Sequence, residues 1–193
     1  MTLFQIILML AAAFFAYQVY MHIQNIDEDA EPVFGQEPEQ IEVEPTEDER
    51  IEEADRAYMD GDIDRAKTLL ASTVERFPDS SEAMNKLAFI LAKQGNVQEA
   101  EEQYRASLAI APDDDITHNA LATVLVSIDK DEEAEEHYKK ALDIDDNYEV
   151  TWFNYANLMQ KTGQTEKARE MYEKALLIDP DFAPAREELE NLK

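Results

Sequence analysis

Cysteine is absent from these 193 residues, glycine occurs four times, and 17 lysines and arginines face 44 acids, for a formal net charge of −27. Without cysteine there can be no disulfide, no thiolate metal site and no cysteine nucleophile. The compartment stays open, because proteins on either side of a membrane can lack the residue. Scarce glycine argues against loop-rich β folds and against the glycine loops that cradle phosphates. Scarce cations argue against nucleic-acid binding, whose affinity comes largely from lysine and arginine on phosphates. They equally disfavour broad docking on anionic lipid headgroups. Alanine, glutamate, leucine and lysine are plentiful, and that composition favours helices.

Charge is also missing locally. Residues 2–23 read TLFQIILMLAAAFFAYQVYMHI, with no Asp, Glu, Lys or Arg. About 20 apolar residues at roughly 1.5 Å rise each span a bilayer as a helix, and Tyr17 and Tyr20 suit an interfacial belt. Residues 1–23 are therefore expected to be a transmembrane anchor. A cleaved signal peptide is the competing reading. Against it stand the lack of a basic leader and an apolar run that continues past Ala13. Residues 24–46 then turn acidic and carry Pro32, Pro38 and Pro45. Like-charge repulsion, low hydrophobicity and proline predict a flexible tether.

The remainder repeats. Leu87, Ala88, Gly95, Ala100, Tyr104 and Pro112 return after a fixed interval as Leu121, Ala122, Asp129, Ala134, Tyr138 and Asp146. The same interval leads on to Tyr155, Ala156, Gly163, Ala168, Tyr172 and Pro180, and back to Glu53, Ala54, Gly61, Ala66, Leu70 and Pro78. This pattern resembles the tetratricopeptide repeat, a 34-residue helix–turn–helix unit. The fullest match is Trp152, Tyr155, Ala156, Gly163, Ala168, Tyr172, Ala175 and Pro180. The resemblance implies an all-α solenoid over 47–182, in four units: 47–80, 81–114, 115–148 and 149–182. The first unit is degenerate, since Arg50 and Glu53 take usually apolar places. Helices are expected there, and whether they pack regularly is left open. Small alanines at the helix crossings, faced by tyrosine bulk, fit units that cannot bury their stripes alone. Residues 183–193 are expected to form a capping helix, with Leu189 and Leu192 turned to the last unit.

No constellation carries catalysis, so an enzyme is not expected, nor a cofactor or metal. His118 stands where the fourth unit has Trp152, which points to packing, and His137 lacks a partner ligand at i+4. Asp143, Asp145, Asn147 and Glu149 mimic a calcium loop but lack its glycine and closing glutamate, at Tyr148 and Asn154.

The resemblance also implies where a partner would sit. Positions 2, 5, 9, 12 and 13 of each unit line the concave groove. The candidates are Asn85, Phe89 and Lys93; Ile116, Asn119, Thr123 and Val126; and Val150, Phe153, Asn157 and Lys161. Only Glu82 is acidic among the groove positions of the last three units, so acid is depleted there. Amides and apolar groups together suit an extended peptide or a short helix. One family variant clamps a terminal carboxylate with Lys then Asn at positions 5 and 9. The pairs here are Ile51/Asp55, Asn85/Phe89, Asn119/Thr123 and Phe153/Asn157, and none matches. The expected function is a membrane-anchored protein-interaction scaffold assembling or stabilising a membrane or envelope complex. The alternative is a membrane-tethered chaperone or secretion helper. Its expected partners are a protein in the groove, the lipid bilayer through residues 2–23, and transmembrane helices of a larger complex, with no nucleic acid. No Lys or Arg precedes Arg50, so the positive-inside signal is nearly silent. In a bacterial inner membrane the potential would draw the acidic flank outward, placing the repeats in the periplasm, with the cytoplasmic side as the competing reading.

Overall fold

The computed structural model describes residue 14, residues 16–21 and residues 44–192. Most of the expected anchor and nearly all of the tether lie outside the described residues. Residues 16–21 are helical and exposed. Among the described residues, no helix is long and apolar enough to cross a membrane. The chain divides between Glu44 and Pro45 into two units, and the second carries the fold.

Nine helices and no strand are found among the described residues of that unit. They are α1 (Glu47–Met59), α2 (Ile63–Arg76), α3 (Ser81–Lys93), α4 (Val97–Ile110), α5 (Asp115–Ser127), α6 (Asp131–Ile144), α7 (Glu149–Lys161), α8 (Thr165–Ile178) and α9 (Ala183–Asn191). Each odd-numbered helix up to α7 folds back on the even one after it, and each pair stacks on the next.

The odd helices start once per repeat, and the chemistry of those starts can be followed down the chain. Thr46 makes a capping box with Glu49, Ser80 accepts from the Ala83 N–H, and Asp114 accepts from the Thr117 N–H. These side chains satisfy amides that a helix start leaves unpaired. At the next two starts stand Tyr148 and Phe182, which make no side-chain cap bond. The turns inside the units need a left-handed residue. Gly61, Gly95 and Gly163 take φ of 82°, 82° and 77°, and Asp129 fills the same place at 57°. Aspartate is among the few non-glycine residues that tolerate this region.

Packing follows the same count. Ala54, Ala88, Ala122 and Ala156 on the first helices, and Ala66, Ala100, Ala134 and Ala168 on the second, are buried. Leu70, Tyr104, Tyr138 and Tyr172 fill the space that these small residues leave. A further layer of small groups, Thr73, Ser107, Ala141 and Ala175, lies wholly inside.

The first unit packs as the others do. Ile51, Ala54 and Ala57 are buried, while Arg50 spans to α2, donating to Ser72 Oγ at 2.6 Å and Thr73 Oγ1 at 3.2 Å. Glu53 pairs with Arg65 at 2.7 Å. Polar residues here bridge the helices instead of breaking their contact. At the other end α9 packs on α8, with Ala185 buried and Phe182, Leu189 and Leu192 half-buried against the core.

Candidate functional site

Successive first helices approach one another, α3 with α5 and α5 with α7, more closely than successive second helices do. The first helices therefore line the inner side of the stack, and their outward residues form a surface.

Its most open part lies on α1, α3 and α5. Phe89 is 42% exposed and Ile116 57%. The Phe89 ring meets Tyr58 edge-on at 5.8 Å, and the Lys93 ammonium sits over it at 5.0 Å. A cation so placed gains from the ring's negative face. Next to this cluster is a cavity of about 210 Å³ lined by Ala54, Asp55, Tyr58, Leu70, Lys86, Phe89 and Ile90. Lys86 at its edge is held by Asp55 at 2.9 Å and Glu82 at 3.6 Å. Aromatic and apolar groups beside a polar rim can seat an anchoring side chain and hydrogen-bond its backbone. Tyr58 is not among the expected groove residues, which begin with the second unit. It stands at position 12 of the first, so the repeat count would have found it.

The other expected groove residues divide. Thr123 is exposed, but its hydroxyl donates to the Asn119 carbonyl at 3.0 Å and meets the Tyr138 hydroxyl at 3.1 Å. Val126 and Val150 are half-buried. Phe153 is half-buried against Tyr172 and Phe182, with centroids at 5.7 and 5.4 Å. Asn157 is exposed and accepts from the Tyr172 hydroxyl at 2.6 Å. Lys161 is engaged with Asp129 at 2.9 Å and Asp131 at 2.7 Å. Three asparagines act between units. Asn85 Nδ2 donates to Thr117 Oγ1, and Asn154 Nδ2 donates to Asn119 Oδ1 at 3.1 Å. Asn119 is 7% exposed, so its placement as a groove contact is corrected. Close approach of α5 and α7 encloses it, and its amide joins the two helices.

The two histidines of the third unit come together. His118 and His137 are both buried, and their Nδ1 atoms lie 2.8 Å apart. They line a cavity of about 550 Å³ formed by α4, α5 and α6. Packing explains part of His118's role, as expected, but the pairing was missed because the two residues are far apart in sequence. The calcium-like run forms an aspartate turn instead, the Asn147 N–H donating to Asp145 Oδ1 at 2.9 Å. No three His, Asp or Glu side chains converge on a metal position among the described residues.

Three family models, each described as tetratricopeptide repeat, match residues 54–80, 79–147 and 132–190. No curated protein sequence matches the chain. Among solved structures, MamA is similar at 21% identity and TM-score 0.66, over 72% of this chain and 81% of that one. Pseudomonas aeruginosa pilF is similar at 23% and 0.69, over 76% and 67%. The first repeat domain of Spaghetti (RPAP3), bound to the HSP90 peptide SRMEEVD, is similar at 20% and 0.56, over 58% and 89%. At these identities the likeness is one of fold.

Proposed function

Because the chain belongs to the tetratricopeptide repeat family, we propose that its repeat stack is a protein-interaction scaffold held at a membrane. The inner face takes an extended peptide or short helix of a partner. The observation that carries this is the open cluster of Tyr58, Phe89 and Lys93 beside a 210 Å³ cavity, with exposed Ile116 on the next first helix, on a chain that is otherwise strongly acidic. The peptide bound by Spaghetti supports a peptide ligand. The absence of any Lys–Asn clamp pair argues that a terminal carboxylate is not what is read here. Apolar side chains of the partner are the anchors.

Residues 2–23 supply a single-pass anchor and residues 24–46 the tether, with the repeats in the periplasm of a bacterial cell. Anchoring raises the effective concentration of a membrane partner, and the tether sets the reach. This arrangement suits assembly or stabilisation of a membrane or envelope complex.

Photo-crosslinkers at positions 89 and 116 of the full chain, in native membranes, are expected to trap the same partner. One at exposed Leu177 on α8 is not. Phe89→Glu and Ile116→Glu should each weaken capture roughly tenfold while circular dichroism is unchanged. Equal trapping at 177, or capture unaffected by both substitutions, contradicts the groove. Alkaline extraction checks the anchor separately: the full chain is expected in the membrane pellet, and a chain lacking residues 1–26 in the supernatant.

A further inference from the structure

The cavity around the histidine pair opens away from the inner face, between the second helices α4 and α6. Its apolar wall includes Leu108, Leu121 and Ile144, and its rim carries Arg105, Lys140, Asp113 and Asp143. The hydrogen bonds fix where the protons are. His118 Nε2 lies 3.0 Å from the Pro112 carbonyl, which can only accept, so this nitrogen donates. In neutral His118 the other nitrogen, Nδ1, is then an acceptor. Its neighbour at 2.8 Å, His137 Nδ1, must carry the proton that joins them. That leaves His137 Nε2 unprotonated, a lone pair with no partner among the described residues.

This nitrogen is not sealed in. The side-chain polar atoms that are both unpaired and shut off from solvent are Gln103 Oε1 and Thr151 Oγ1. His137 Nε2 is not one of them, although its residue is only 9% exposed, and His137 lines the cavity. A largely buried acceptor on a residue that lines a cavity with an apolar wall is a recognition element, because leaving it unpaired is costly. Burial is also the main force holding the imidazole neutral, lowering it to about 4. His118, Lys140 and Arg105 add to this, and Glu133 opposes it.

The chemistry narrows the ligand. Convergent metal ligands are lacking among the described residues. The rim has two cations and two carboxylates, so neither an anion nor a cation is favoured. We propose that this cavity binds a small neutral organic molecule, an alcohol or phenol on an apolar body, whose hydroxyl donates to His137 Nε2. The corresponding positions of the other units hold Arg50 and Leu69, Met84 and Gln103, and Trp152 and Met171. The paired imidazoles belong to the third unit alone.

The test uses the full chain with 15N-labelled histidine, which carries only three such residues. At pH 7 the protons are expected on His118 Nε2 and His137 Nδ1. Phenol should shift the His137 Nε2 resonance saturably, and anisole, which lacks the donor, should bind at least about tenfold more weakly. Ala109→Trp, at an exposed lining position, should weaken phenol at least about tenfold and leave the tautomers in place. A proton on His137 Nε2, equal binding of anisole, no saturable shift, or binding indifferent to Ala109→Trp would each overturn the proposal.

Discussion

Thr151 is fully buried and its hydroxyl has no hydrogen-bond partner. Its counterpart in the preceding unit, Thr117, donates to Asp114 at 2.8 Å; Tyr148 offers no such acceptor. An unpaired buried hydroxyl costs about 1–3 kcal/mol, so Thr151→Val is expected to raise the urea midpoint with an unchanged m-value. His137 makes the second residue-level prediction. Its folded value is about 4 against an ordinary 6.5, so between those values the unfolded chain binds more protons. Stability is full above about pH 6.5 and falls as pH drops towards 4, by about 3 kcal/mol in the limit. His137→Gln should flatten that slope, measured by urea melts at pH 7 and pH 4.5. Neither effect was legible in the sequence. Residue types at positions 118 and 137 suggested a packing histidine and an isolated one, and only the fold-back of α6 on α5 joins them.

At the scale of the helix, the sequence was far more open to reading. The repeat count located every turn, because each needs a left-handed residue and the chain supplies glycine or Asp129. It located the crossings, because only alanine fits two close backbones. It did not foresee that Arg50 and Glu53 would be accommodated, since an arginine can lay its stem along α2 and set its head against Ser72 and Thr73. Nor did it separate outward groove positions from those enclosed between units, as with Asn119, because that depends on how tightly α5 and α7 approach. The caps give the testable case. Thr46, Ser80 and Asp114 close their helices, whereas Tyr148 does not. Tyr148→Asp is expected to stabilise α7 by about 0.5–1 kcal/mol, offset in part by lost ring burial. Thermal melting at matched pH checks the sign.

At the scale of the molecule, the dominant fact is a net charge of −27. Ion pairs tie units together locally: Arg105 on α4 reaches Glu133 on α6 at 2.6 Å, and Lys130 reaches Glu101 on α4 at 2.7 Å. Exposed pairs contribute little each, so long-range repulsion prevails. Raising salt from about 20 mM to about 500 mM shortens the screening length from roughly 20 Å to roughly 4 Å and should raise the melting temperature. A lower value at high salt would mean that the pairs dominate instead. The terminal helix α9 has a different consequence. It begins one repeat length after α7 and buries Ala185 where Thr151 and Thr117 lie. It is laid as a further brick in the bond of the courses beneath it. Length in such a wall is a matter of how many courses are laid. Duplication of one whole repeat, inserted after Tyr148, should add a course without disturbing those on either side, because each unit touches only its neighbours.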